Sequence, residues 1–143
     1  MNKVVAIAND HAGLALKHAL LKLLADHGAQ VLDLGTHTAD SVDYPDYGNA
    51  IARAILEKKA ELGIAICGSG IGISIAANRH GGIRAALCST GLSAELARKH
   101  NDANVLCLGA RLIGEAEAAE CVIRFLTTEF EGGRHAARVE KLG

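Results

Sequence analysis

The sequence predicts a single-domain three-layer αβα sandwich, Rossmann-like, built on a five-stranded parallel sheet. Three observations predict it. Short apolar runs alternate with helical patterns from one end of the chain to the other. No linker, internal repeat or low-complexity tract interrupts them. Several of the runs end in glycine or in small polar residues, as strands do when they feed a loop at one rim of a sheet. Strict alternation implies parallel strands with helices on both faces. The 143 residues, half of them apolar, suit one domain spanning 1–143. Strand order does not follow from the pattern.

Val4–Ala8 reads as the first strand. Leu14, Leu16, Leu20, Leu23 and Leu24 mark a helical stripe that stops at Gly28. The second strand is Gln30–Leu34, closed by Gly35, and 36–43 is a polar loop. Pro45 opens a helix that runs to about Lys59. Leu62–Cys67 is the third strand, with a helix starting near Ile73. Ile83–Leu87 is the fourth strand, followed by a helix over about Leu92–His100. Val105–Leu108 is the fifth, and Gly114–Phe130 holds the next helix. A short basic helix at about 134–142 closes the chain.

Composition narrows the function. The net charge is −1, aromatics are 3% and Trp is absent, which argues against nucleic acid and against an anionic membrane surface. The run Val4–Ala8 is too short for a signal peptide or a membrane span, so a cytoplasmic location is expected. Cys67, Cys88, Cys107 and Cys121 show no C-x-x-C or Cys/His ligand spacing, so neither a disulfide framework nor a zinc site is expected.

The most informative segment is Ile66-Cys67-Gly68-Ser69-Gly70-Ile71-Gly72-Ile73-Ser74. A thiol at the carboxyl end of a buried strand meets a loop of alternating glycines and then a helix N-terminus. That end of an open α/β sheet binds ligands, and backbone N–H groups there favour anions. Such surroundings raise the thiolate fraction of a cysteine. The plainer alternative is a cysteine that merely packs in the core beside a tight turn. Two nucleotide readings fail. The third glycine of G-x-G-x-x-G falls on Ile73 or Ile75, and Gly72 lacks a following Lys. A small phosphorylated or oxyanionic ligand fits best, with no nucleotide cofactor.

Other strand ends add polar groups. Asn9-Asp10-His11-Ala12-Gly13, Cys88-Ser89-Thr90-Gly91 and Gly109-Ala110-Arg111 all fall on the same rim. Asp10 could equally cap the first helix. His100 could complement a helix dipole, with Asn101 or Asn104 as a left-handed cap. Arg134 and Arg138 share a helical face and could grip one phosphate, or could simply form a solvated basic face.

Taken together, these residues resemble the type B ribose-5-phosphate isomerase family, which includes allose- and galactose-6-phosphate isomerases. The matching segments are Asp10-His11-Ala12-Gly13, Asp43-Tyr44-Pro45, Ile66 to Asn78, Gly82-Ile83-Arg84-Ala85, His100-Asn101-Asp102, Gly109-Ala110-Arg111 and Glu131-Gly132-Gly133-Arg134-His135. They run in the family's order across nearly the whole chain. Ala8 stands where the family usually has Gly, and Cys67 is kept where one branch uses a Glu further on.

The resemblance implies aldose–ketose isomerisation with no cofactor and no metal. It implies Cys67 as the base between C2 and C1 and Ser69 as the shuttle between O1 and O2. Backbone N–H groups of Gly68, Gly70, Ile71 and Gly72 would hold the enediolate. Asp10 and His100 would open the furanose ring. Tyr44 and Asn101 would contact the sugar, and His11, Arg111, Arg134 and Arg138 the phosphate. It further implies a homodimer with sites shared between subunits, a tetramer of dimers being the larger alternative. Ribose 5-phosphate is the leading substrate and a six-carbon sugar phosphate, allose or galactose 6-phosphate, the alternative. A non-catalytic sugar-phosphate-binding regulator would need the arginines and the glycine loop but not Cys67. A thiol redox sensor would need an exposed Cys67 but neither Arg134 nor Arg138.

Overall fold

The apolar runs pair into one parallel sheet. The computed structural model describes residues 3–143. Its strands are β1 Val4–Asn9, β2 Gln30–Asp33, β3 Leu62–Cys67, β4 Ala85–Leu87 and β5 Val105–Gly109. The helices are α1 Leu14–Asp26, α2 Tyr44–Leu56, α3 Ile71–Asn78, α4 Gly91–Asn101, α5 Glu115–Thr127 and α6 Arg134–Glu140. Strand order is β2-β1-β3-β5-β4. From β1 the chain moves out to β2 and then crosses to β3 on the far side, so the winding reverses between β1 and β3. Loops diverge at such a switch point and leave a crevice at the carboxyl ends. Asp10 follows β1 there, and Cys67 ends β3; Asp10 N donates to Ile66 O at 3.1 Å.

Alternating side chains build two unequal cores. Val5, Ile7, Ile64, Ile66, Leu106 and Leu108 face one way and pack with Leu20 and Leu24 of α1 and Phe125 of α5. Ala6, Ala8, Ala65, Cys67, Val105 and Cys107 face the other way, against Ile51 of α2 and Ile73 of α3. The small residues let α2 and α3 sit close. A Cβ on Gly63 would come within 2.8 Å of Ile51, and one on Gly48 within 2.7 Å of Ala76 Cβ. Cys67 therefore belongs to the thin face, beside the helices that carry Tyr44 and the glycine loop.

The elements match the expected order, with local differences. α3 starts at Ile71 rather than Ile73, because Gly70 at φ +77° completes the reversal in three residues. β4 starts at Ala85 rather than Ile83. Arg84, just before it, is held partly by a side chain: its N donates to Asn104 Oδ1 at 2.8 Å while its carbonyl accepts from Asn104 N at 3.0 Å. The left-handed residue after α4 is Asp102 at φ 46°, not Asn101 or Asn104. Its carboxylate is held by Arg84 and Arg98, which fixes a conformation Asp tolerates. Among the described residues no helix is long and apolar enough to cross a membrane.

Candidate active site

Two adjoining clefts open at the switch point, of about 420 and 540 Å³. They share Asp10, Tyr44, Gly68 and Arg111. The first also includes His11 and Asp43; the second also includes Cys67, Ser69, Ile71, Gly72 and Leu112. A thiol, a hydroxyl, a carboxylate and a guanidinium thus converge on a space the size of a small phosphorylated metabolite.

The glycine loop holds its own side chains. Gly70 N donates to Cys67 Sγ at 3.2 Å, and Ile71 N donates to Ser69 Oγ at 3.2 Å. Gly68, Ser69 and Gly72 N–H have no acceptor among the described residues, so these three are the free donors of the loop. The glycines are required by what approaches them. Gly72 lies under the Tyr44 ring, where a Cβ would come within 2.5 Å of Cε1. Gly68 lies under the Arg111 guanidinium, 3.0 Å from Nη1 on the same test. Gly109 packs against the Ser69 backbone.

Asp10 does cap a short 3₁₀ turn at His11–Gly13, its Oδ1 accepting from Ala12 N and Gly13 N. The cap pins the carboxylate at the cleft wall and leaves its second oxygen available, so the two readings of Asp10 coexist. Val42 N donates to His11 Nδ1 at 3.1 Å. That bond leaves Nε2 as the protonated nitrogen of a neutral ring. Arg111 N donates to Gly68 O at 2.9 Å. Its guanidinium pairs with no carboxylate among the described residues, leaving its fork of donors for an anion.

The other thiols are packing residues. Cys107 and Cys121 are fully buried. Burial pushes Cys107 far up, and it pushes Cys121 up to about 12, with Cys88, Glu117 and Glu120 adding to the shift. Burial also raises Cys88, partly offset by a hydrogen bond to Ser93.

The remaining anticipated residues lie elsewhere. His100 and Asn101 end α4, and with His135 and Arg138 they line a separate cleft of about 250 Å³. Arg134 is exposed at the start of α6. The end of α4 leads into the amino end of β5, whereas Cys67 pairs with Gly109 at its carboxyl end. The length of β5 separates the two groups, roughly 15 Å of strand. Within one chain Cys67, Asp10, His11, Tyr44, Ser69 and Arg111 come together, and His100, Asn101, Arg134 and Arg138 do not join them.

Two contributors escaped the sequence reading. Lys17 is buried, donates to Thr36 O at 2.6 Å and pairs with Asp33, tying down the loop that delivers Val42 and Asp43. A lone Lys in a helical stripe gives no such signal. His135 is buried against His100, their rings 4.4 Å apart. Only its place after Gly132-Gly133-Arg134 hinted at a role.

Comparison with known proteins matches residues 5–142 to the ribose/galactose isomerase family model. The chain is 45% identical over 140 residues to ribose-5-phosphate isomerase B of Escherichia coli, covering 98% of this chain and 94% of that protein. The solved ribose-5-phosphate isomerase B of Clostridium thermocellum superposes with a TM-score of 0.96 at 48% identity, covering 98% of this chain and 95% of that one. The Thermotoga maritima enzyme gives 0.95 at 49% identity, covering 98% and 97%.

Proposed function

The chain belongs to the ribose/galactose isomerase family, and on that premise we propose that it interconverts ribose 5-phosphate and ribulose 5-phosphate through an enediolate. The observation that carries the chemistry is the loop geometry: a thiol held by Gly70 N–H, beside a hydroxyl held by Ile71 N–H and three unpaired N–H donors. Aldose–ketose exchange needs a carbon-acid base, an oxyanion trap and a second proton route.

Each step has a group assigned to it, with His100, Asn101, Arg134 and Arg138 coming from a second copy of the chain. The furanose opens when a proton leaves the anomeric hydroxyl and one reaches the ring oxygen; Asp10 and His100 share this transfer. The Cys67 thiolate then takes the C2 proton, and the C–H electron pair forms the C1–C2 double bond while charge develops on O1. Gly68, Ser69 and Gly72 N–H meet that charge. Ser69 passes the O2 proton to O1, and the thiol returns its proton to C1, giving the ketose. Tyr44 and Asn101 contact the sugar, while His11, Arg111, Arg134 and Arg138 bind the phosphate and supply positioning energy.

The site is composite, built by two copies of this chain. His100 and Arg138 lie at the opposite rim from Cys67, too far to serve its substrate. Ile71 and Leu112 leave half or more of their surfaces exposed around the cleft, an apolar rim suited to a partner subunit. A cytoplasmic setting accords with four free thiols.

A panel of five- and six-carbon aldose phosphates tests this reading. Ribose 5-phosphate should show the highest kcat/KM. A preference for allose or galactose 6-phosphate would move the assignment to the six-carbon branch. Binding without turnover of any of them would leave a regulator.

A further inference from the structure

Where the carboxyl-terminal segment docks on α4, three metal-ligating side chains meet. His100 lies in the last turn of α4, Glu131 precedes α6, and His135 lies in the first turn of α6. One donor atom from each lies within 4.8 Å of the other two. The imidazoles stack with planes 16° apart, and Glu131 Oε1 is 3.6 Å from His135 Nε2. His135 is only 8% exposed, and its Nε2 is buried with no hydrogen-bond partner among the described residues. A buried ring nitrogen without a partner is costly, so this atom is poised for a ligand the polypeptide does not supply.

We propose that His100, Glu131 and His135 form a binding site for a divalent transition-metal ion, with zinc the best match, and that the ion inhibits the enzyme reversibly. Two imidazoles and one carboxylate are a zinc donor set that leaves a fourth position for water. Imidazole ligands select against magnesium and calcium. The backbone preorganises the cluster, since Glu131 N donates to Lys99 O at 3.1 Å and His135 N to Gly132 O at 3.0 Å. The last carbonyls of α4 add negative potential. Of the nearby cations, Arg98 is paired with Asp102 and Lys99 with Glu95, leaving Arg134, next to His135, and Arg138, on the cleft wall, as the repulsive neighbours. Side-chain rotation must unstack the rings, closing the donors to the separation of about 3.3 Å that a tetrahedral ion at about 2.0–2.1 Å requires.

Inhibition, though not binding, rests on the ring-opening role given to His100. A metal-bound imidazole has no lone pair with which to move a proton, so the furanose stays closed. Release of the ion restores the base.

The test titrates Zn²⁺ into metal-free, full-length Cys67→Ala protein by calorimetry, so that the loop thiol cannot be the ligand. One ion per chain should bind, and Mg²⁺ should not. Glu131→Gln in that background, a change at an exposed residue, should weaken binding by about tenfold or more. His135→Asn should weaken it similarly. With Cys67 intact, Zn²⁺ should slow turnover and a chelator should restore it. The Glu131→Gln enzyme should turn over normally and resist Zn²⁺. No binding to Cys67→Ala, or equal affinity in the Glu131→Gln and His135→Asn variants, overturns the site. Binding at the cluster with undiminished turnover supports the site, overturns the inhibition and removes His100 from ring opening.

Discussion

Gly70 donates its backbone N–H to Cys67 Sγ at 3.2 Å, so the residue that turns the loop also aims the thiol. Cys67 is nevertheless 4% exposed and packs among alanines and isoleucines of the thin face. A core cysteine and a reactive cysteine are usually alternatives. Here the sulfur is buried from behind and reached from the second cleft.

Cys67→Ala should therefore reduce turnover by about 10²–10⁴-fold, the usual contribution of a general base. The fold and substrate binding should survive, since a single small side chain is truncated. Steady-state kinetics with circular dichroism checks both parts. Near-normal turnover would exclude Cys67 as the base and favour a regulator.

Gly72→Ala should damage the site chiefly through Tyr44, since the substituted residue keeps its backbone N–H. The new Cβ would strike the Tyr44 ring, which must swing away or strain the start of α2. Overpacking of this kind costs about 1–3 kcal/mol. If Tyr44 contacts the sugar rather than the reacting proton, as proposed, KM should rise more than kcat falls. An unchanged KM would mean that Tyr44 lies off the substrate.

Much of this was legible in the sequence, for identifiable reasons. Buried parallel strands show as apolar runs, so β1, β3 and β5 could be read directly. The Cys67 loop was legible because alternating glycines report close approach, here by Tyr44 and Arg111. β4 was overextended because Ile83 and Arg84 look like strand, while a tertiary bond from Asn104 decides their path. The left-handed turn fell on Asp102 rather than a neighbouring Asn for a similar reason: Arg98 one turn back and the distant Arg84 together hold its carboxylate. The burial of His135 depends on the tail docking against α4, which no local pattern encodes. Strand order was invisible too, and with it the depth of the crevice between β1 and β3.

Arg134→Ala and Arg138→Ala should each weaken binding of phosphorylated substrate. Hydrogen bonds to charged groups contribute about 1.5–3 kcal/mol, which corresponds to roughly ten- to hundredfold in affinity. Lys should restore part of it, keeping charge but losing the planar fork. Inhibition by inorganic phosphate reads the effect directly. Unchanged inhibition and kcat/KM in both alanine variants would make these arginines a solvated face.

Stability should fall in alkali through the packed thiols. Burial raises Cys121 from 9.0 to about 12, and raises Cys107 further still. A raised folded pKa means the stabilisation is complete below the unfolded value and is lost as pH climbs toward the folded one. Between about pH 9 and 11 each such thiol should remove about 1.4 kcal/mol per pH unit. Cys121→Ala should flatten that slope in denaturant titrations across this range, even though it lowers stability at pH 7. A slope unchanged in the variant would assign the alkaline loss to other groups.

The central claim is that residues on opposite rims of the sheet serve one site by coming from two chains. Mixing Cys67→Ala protein with Arg138→Ala protein tests it most directly. Each variant alone has both sites of its dimer damaged. After subunit exchange, a mixed dimer has one site with both defects and one with neither. Activity should rise well above that of either variant, toward about half the wild-type value per mixed dimer. No recovery, with exchange confirmed by mass-tagged subunits, would place Cys67 and Arg138 in the service of one chain's own site and contradict the account.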